Sequence, residues 1–290
     1  MAFLRISFAA LLMLALGACA NFGAVKEFSQ ETEKLTLATG TELAFVSQHC
    51  AKVADARRVV EGVAVQGANC DKLQGAVGEM TRNTNDVLVT YAKTLHALAD
   101  GSNFDYSANL TKTKASLAGL KDKSGASLID KNVIVAATAV ADLLLKIATE
   151  TQRREAVKRL VEQRPSLRVV ATSLRTFFVV PSPRTSSYGL QLNEDDQGLQ
   201  DLQASLSSLG RIEPIRAREW QDEVQARRKS IEKRVNGDVA SNLGAAVDAW
   251  LNALDVFSEK AFEPDFKEWR DQFNMLKEKT TAATTAVGSL

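Results

Sequence analysis

The chain has 290 residues, 45% of them hydrophobic, which is enough to bury one large core or two smaller ones and excludes a disordered chain. Its 36 basic residues nearly balance its 35 acidic ones, so overall charge gives no case for nucleic-acid binding. Five prolines, 16 glycines and an aromatic content of only 6% favour helices over strands.

The first 18 residues have the pattern of a leader segment. Arg5 is their only charge, and the run from Ile6 to Leu16 is apolar except for Ser7. As a helix this run extends about 16 Å, half the ~30 Å thickness of a hydrocarbon core. The segment is therefore too short to span a membrane, but it has the length of the hydrophobic region of a signal peptide.

The residues Leu16-Gly17-Ala18-Cys19 end this segment. They resemble the lipobox of bacterial lipoproteins, and the resemblance implies that residues 1–18 are cleaved. Cys19 would then be acylated and become the first residue of a mature domain spanning 19–290. In that class an aspartate after the cysteine is associated with inner-membrane retention. Because Ala20 stands there, the resemblance implies the periplasmic face of the outer membrane. An ordinary secretory leader with a chance cysteine is the alternative.

The first predicted helix runs from about Phe22 to Val60, with a break or kink at Gly40. Only two to five residues then separate Cys19 from the helix, and such a tether reaches at most about 18 Å. This spacing predicts a bundle held close to the membrane surface. The second predicted helix, from Asp71 to about Ala99, has the clearest 4-3 spacing in the chain. Its inward-facing residues include Thr84, Val87, Tyr91, Leu95 and Leu98.

Cys50 and Cys70 are the other two cysteines, and an oxidising compartment allows one disulfide between them. The bridge would close a loop of about 20 residues and stabilise the fold by about 3 kcal/mol. It requires that the first helix ends early or that 62–69 folds back along it, because the two Cα atoms must lie within about 7 Å. Two buried free thiols are the alternative.

Six further helices are predicted after Asp100. They cover about 107–121, 127–163, 167–180, 194–235 with a kink or division at Pro214, 238–260, and a last helix that opens near Glu263. The second of these contains the apolar stretch Val133–Leu145, which makes it the candidate central helix. Residues 181–193 are predicted as an irregular loop, where the chain could divide in two, although one continuous bundle is preferred. The uncharged residues 281–290 are expected to fray.

These elements predict an all-α fold, an elongated bundle of seven or eight helices, several of them long. Trp250 and Trp269 are interpreted as core residues. The acidic run Glu194-Asp195-Asp196 is interpreted as the first turn of a helix, where carboxylates are favourable. His49 and His96 are interpreted as surface or interface groups. Neither histidine has metal-motif spacing from the cysteines, so no metal, cofactor or catalytic residue is predicted.

Basic residues concentrate in the second half of the chain. Seven lie between Arg153 and Arg175 against two acidic residues, and eight lie between Arg211 and Arg234 against five. In the first run, the residues spaced to form a stripe along one helix side are Arg153, Arg154, Lys158 and Arg159. The stripe is either a solvated face or a contact surface for an anionic partner, such as lipid headgroups, an acidic protein or a cell-wall polymer.

Together these patterns predict an outer-membrane lipoprotein that faces the periplasm, held through lipid on Cys19. It would act as a non-catalytic helical scaffold or adaptor for another envelope component, with a protein partner and no nucleic acid. Two other functions remain open at this point. One is a helical bundle that holds a small ligand, and the other is an inhibitor or immunity-type protein that blocks a periplasmic effector.

Overall fold

The computed structural model describes residues 22–49, 52, 84–101, 130–147, 153–209, 214–236, 238–261 and 267–289. Within these ranges the chain forms nine helices and no strands, which confirms the predicted all-α bundle. The helices are α1 (22–49), α2 (Asp86–Asp100), α3 (Lys131–Ile147), α4 (Arg153–Glu162), α5 (Arg164–Val179), α6 (Ser187–Leu209), α7 (Pro214–Asn236), α8 (Val239–Lys260) and α9 (Lys267–Gly288). Cys19, Cys50, Cys70 and the helix predicted over 107–121 lie outside the described residues.

α1 is the helix on which the bundle is assembled. Its side chains form hydrogen bonds or ion pairs with α2, α6, α7, α8 and α9: Lys26 with Asp100, Glu42 with Tyr188 and Arg234, Thr32 with Trp250, and Glu31 with Thr280. The stretch Val133–Leu145, predicted as the candidate central helix, lies in α3, which buries residues such as Val140 and Leu144 and leaves Val135 64% exposed. The sequence does not show that α1 is central to the fold, because polar residues occupy several of its buried positions.

The contacts of α1 define the long axis of the bundle. α2 is antiparallel to α1, since Asn85 lies against Thr39 while Asp100 pairs with Lys26. α8 is also antiparallel, because Trp250 bonds to Thr32 whereas Phe257 stacks on Phe28, one turn nearer the start of α1. We call the end at which α1 begins the proximal end and the end near His49 the distal end. The carboxyl ends of α2 and α8 lie at the proximal end.

An aromatic cluster fills the core near the proximal end. The centroid of the Phe28 ring lies 4.7 Å from that of Phe257 and 5.8 Å from that of Trp250. Trp269 packs beside Phe257 at 5.3 Å and continues to Phe273 at 5.5 Å. Both tryptophans are buried, which confirms their prediction as core residues.

Residues 127–163, predicted as one helix, contain the two helices α3 and α4, with 148–152 outside the described residues. α4 lies across the proximal end. At its start Arg153 contacts the carboxyl end of α2 at Leu98, and directly after its end Arg164 pairs with Glu259 near the end of α8. The residues that α4 buries against the bundle are Ala156, Val157, Leu160 and Val161.

The irregular connection before α6 is shorter than the predicted loop 181–193, because α6 begins at Ser187. The hydroxyl of Ser186 accepts a hydrogen bond from the backbone N–H of Gly189 at 3.1 Å, which satisfies a free donor of the first turn. A Cβ on Gly189 would lie 2.1 Å from the Pro183 carbonyl oxygen, so only glycine fits. The sequence hides this start because glycine and asparagine lower helix propensity in the first turns.

α6 and α7 form an antiparallel hairpin that is divided near Pro214 as predicted. The buried residues of α6 recur at 4-3 spacing: Tyr188, Leu192, Asp195, Leu199, Leu202 and Leu206. In α7 the buried residues Ala217, Val224 and Ile231 recur every seven residues. Such a narrow stripe is typical of a coiled-coil seam, and most of the remaining side chains on both helices are exposed.

The hairpin extends past the distal end of the described part of α1. Arg234 of α7 bonds to Glu42, and Arg227, two turns earlier in α7, is close enough to His49 to lower its pKa. Because α7 runs antiparallel to α1, residues 214–226 lie farther along the axis, by about 20 Å at 1.5 Å per residue. At the other end of the chain, α9 continues to Gly288, so the predicted fraying of 281–290 is wrong for 281–288.

Candidate functional site

The predicted basic stripe lies on the exposed face of α4, at the proximal end. Arg153 has a structural task, since its Nε donates to the Leu98 carbonyl oxygen and its Nη2 to that of Ala99, each at 2.7 Å. These oxygens belong to the last turn of α2, where backbone acceptors lack helical partners. The Arg153 guanidinium also lies 4.8 Å from the centroid of the Phe22 ring. Arg153 therefore ties α4 to both α1 and α2.

The other three residues of the stripe point toward solvent. Arg154, Lys158 and Arg159 are all exposed. Arg159 pairs with Glu155 on the same helix at 4.0 Å, which is a weak surface contact. Arg154, Lys158 and Arg159 therefore lie on the exposed side of α4, whereas Arg153 is bonded to the end of α2.

The remaining basic residues of this run are neutralised by α8. Arg164 pairs with Glu259 at 3.1 Å, Arg168 pairs with Asp255, and Arg175 pairs with Asp248 at 2.6 Å. α8 thus supplies carboxylate partners for all three of these residues, Arg164, Arg168 and Arg175. The other four basic residues of the run 153–175 are those of α4.

A buried polar cluster joins α1 to the hairpin, and the sequence does not predict it. Glu42 is fully buried and accepts hydrogen bonds from Arg234 at 3.0 Å and 3.3 Å and from the Tyr188 hydroxyl at 2.8 Å. Arg234 also donates to the Ser230 hydroxyl at 2.6 Å and lies over the Phe45 ring. The carboxylate and the guanidinium compensate each other, as a buried ion pair requires. The signal in the sequence is weak, because Glu42 and Arg234 are 192 positions apart.

His49 lies beside this cluster and is buried, stacked on Phe45 at 4.9 Å between ring centroids. Burial lowers the pKa of His49, and the positive charges of Arg227, Arg234 and Lys52 act in the same direction, so that together they bring it from 6.5 to about 4. His49 is therefore neutral at neutral pH. The second histidine, His96, is partly exposed and lies 3.0 Å from Asp100 at the interface of α1 and α2.

The acidic run Glu194-Asp195-Asp196 does not form the first turn of a helix, and that prediction is wrong. The run lies two turns inside α6, because capping at Ser186 starts the helix earlier. Asp195 occupies a seam position and is 4% exposed, and Asp196 pairs with Arg228 of α7 at 3.1 Å. The pKa of Asp195 is raised to about 7, chiefly by burial; the hydrogen bond from Gln191 opposes the rise, and the charge of Glu194 adds to it.

A cleft of about 620 Å³ lies between α6 and α7. Its wall includes Arg228, whose Nε donates to Asp196 and whose Nη1 donates to the Gln203 oxygen at 2.9 Å. In the part of the chain that the structure describes, no three potential metal ligands cluster together. No helix there combines the length and apolar character needed to cross a membrane.

No protein-family model matches this chain, and no curated protein or solved structure is significantly similar to it.

Proposed function

We propose that this chain is a lipoprotein anchored through Cys19 on the periplasmic face of the outer membrane, where it acts as a non-catalytic helical adaptor for another envelope protein. The support for the anchor is the leader pattern of residues 1–18 and the lipobox-like Leu16-Gly17-Ala18-Cys19. Several acyl chains on one cysteine hold far more firmly than a single chain, since each buried methylene adds about 0.8 kcal/mol.

The observation that carries the adaptor proposal is the placement of the tether and the hairpin at opposite ends of the molecule. α1 begins at Phe22, three residues after Cys19. From Phe22 to His49 the helix extends about 40 Å, and the hairpin continues for about 20 Å more. An anchored chain with this geometry presents the tip of the α6–α7 hairpin about 60 Å from the membrane-proximal end, within reach of a second envelope protein.

The adaptor proposal is tested by photo-crosslinking in cells from the tip of the hairpin. Ile215, near the start of α7, is 79% exposed and suits a photoreactive amino acid. Met275 of α9 is a matched control, since it is apolar and 43% exposed on the body of the bundle. We expect a discrete protein adduct from position 215 and none of the same mass from position 275. Absence of an adduct at native abundance, or the same adduct from both positions, would contradict the proposal.

The anchor is tested separately with Cys19→Ala. We expect the variant to be released from membranes by alkaline carbonate washing, whereas the unmodified chain stays bound and carries an acyl mass on Cys19. A variant that remains in the membrane fraction after this washing refutes the lipid anchor without bearing on the adaptor role.

A ligand-binding bundle is the second candidate, and the cleft between α6 and α7 is the observation that favours it. Its volume of about 620 Å³ is within the range of small-molecule sites. However, the polar atoms of Arg228 already bond to Asp196 and Gln203 across the hairpin. The adaptor proposal is preferred because these groups are used to hold the two helices together.

A further inference from the structure

The geometry points to a lipid-contacting face: we propose that the exposed side of α4 binds anionic headgroups of the membrane that holds Cys19, through Arg154, Lys158 and Arg159. This inference rests on the proposed anchor and names the ligand of the basic face. It also defines the orientation of the bundle, with α4 against the lipid surface and the hairpin directed away from it.

The basic face lies close to the lipid tether. Two residues lie between Cys19 and Phe22, and the three Cα–Cα steps that join these positions reach at most about 11 Å. The Phe22 ring lies 4.8 Å from the Arg153 guanidinium, so the stripe begins beside the point where the tether enters the bundle. The reach of the tether is close to the screening length of about 8 to 10 Å at physiological salt. The basic face therefore stays within the field of the headgroups.

The packing of α4 sets the direction of its charged side. α4 extends from the carboxyl end of α2 to that of α8, and both lie at the proximal end. Because the apolar side of α4 is buried against the bundle, its charged side faces away from the core. Arg153 holds this orientation through its bonds to the Leu98 and Ala99 carbonyl oxygens.

The charge of α4 is suited to an anionic surface. α4 carries four basic residues and two acidic ones, Glu155 and Glu162. Glu155 pairs with Arg159, and Glu162 is exposed at the other end of the helix. α4 thus has a net positive charge by residue count, whereas the next basic residues along the chain pair with carboxylates of α8. Each basic residue near an anionic surface strengthens binding about fivefold.

The experiment uses the acylated chain reconstituted in vesicles of phosphatidylcholine, alone or with about one third phosphatidylglycerol. Amine-reactive labelling followed by mass spectrometry compares Lys158 with Lys229, which is exposed on the hairpin and serves as the internal control. We expect labelling of Lys158 to slow at least threefold in the anionic vesicles and to recover at about 0.5 M salt, where screening shortens to a few ångströms. Lys229 should react equally in both membranes.

A double variant, Arg154→Gln with Arg159→Gln, should abolish most of this protection, because two contacts of about fivefold each are lost. Arg184→Gln is the matched control, since Arg184 is exposed in the turn before α6 at the distal end. All three residues are on the surface, so unchanged helicity by circular dichroism separates lost contact from misfolding.

Equal labelling of Lys158 in both kinds of vesicle overturns the headgroup contact. Protection of Lys158 in intact cells but not in vesicles also overturns it, and points to an acidic protein or polymer as the partner. The acyl mass on Cys19 is measured on the same sample. Its absence refutes the anchor, whereas an unprotected Lys158 on an acylated chain refutes the headgroup contact and leaves the anchor in place.

Discussion

Replacing Asp195 is expected to remove a pH-dependent cost of folding from the seam of the α6–α7 hairpin. The side chain is 4% exposed and lies between Leu192 and Leu199, in a stripe of leucines. Its Oδ1 accepts a hydrogen bond from Gln191 at 2.9 Å, while its Oδ2 has no partner among the described residues. Burial of this half-satisfied carboxyl group raises its pKa from 3.8 to about 7.

The sign of the effect follows from proton binding. Between the unfolded pKa of 3.8 and the folded pKa of about 7, the folded chain holds a proton that the unfolded chain has released. The free energy of unfolding therefore falls as pH rises through this window. Three pKa units at 1.36 kcal/mol each give about 4 kcal/mol, of which about 2.7 kcal/mol is lost between about pH 5 and pH 8.

The assay is urea unfolding followed by circular dichroism at about pH 5 and pH 8, on the wild-type chain, Asp195→Asn and Asp195→Leu. Asparagine keeps the bond to Gln191 without titrating, and leucine completes the apolar stripe. Because other groups titrate alike in each chain, the difference between wild type and Asp195→Asn isolates this carboxyl group. We expect that difference to change by about 2.7 kcal/mol in favour of the variant at the higher pH. A constant difference, or a change of the opposite sign, refutes the reasoning.

Three further predictions concern the interior of the described bundle. Glu42→Gln leaves Arg234 buried and unpaired, so the free energy of unfolding should fall by about 3 to 5 kcal/mol. In a double-mutant cycle, Glu42→Leu combined with Arg234→Met should cost less than the sum of these two changes made singly. Additive costs would contradict this. The pKa of His49 is about 4 in the folded chain and 6.5 in the unfolded chain, so the free energy of unfolding should rise by about 3 kcal/mol from pH 4 to pH 6.5. His49→Gln should reduce this pH dependence when stability is measured by urea unfolding. An unchanged pH dependence would refute the burial of His49. Gly189→Ala should lower the free energy of unfolding by at least about 1 to 3 kcal/mol, because its Cβ would meet the Pro183 carbonyl oxygen. Gly23→Ala is the control, since its Cβ has open space around it. Equal melting temperatures of the two variants would contradict this.

The fold class and several helix faces could be predicted because they depend on periodicity within one segment. The 4-3 spacing of the second predicted helix places Val87, Tyr91 and Leu95 inside, and all three are buried. In α8 the predicted inward residues are likewise buried: Leu243, Val247, Trp250, Leu254 and Phe257. Apolar side chains at this spacing lie on one side of a helix whatever its neighbours are, so no knowledge of packing is needed.

Predictions failed where a polar residue occupies a buried position. Asp195 interrupts the apolar spacing of α6, so the sequence favours a helix that starts at Glu194 rather than at Ser187. Glu42 breaks the pattern of α1 in the same way, although Tyr188 and Arg234 compensate it. Because burial of a polar group is favourable only when partners are present, its place cannot be judged from its own segment.

The composition, the spacing of apolar residues and the capping signals of the chain determined an all-α bundle, and they placed the basic stripe on one helix. Tertiary structure decided which charges are compensated. Arg164, Arg168 and Arg175 follow the stripe in sequence, yet α8 carries their carboxylate partners 73 to 95 positions away. Helix periodicity is local, whereas an ion pair depends on how two distant helices pack. For that reason only the folded chain separates Arg154, Lys158 and Arg159, at the end where the tether begins, from the basic residues that hold the bundle together.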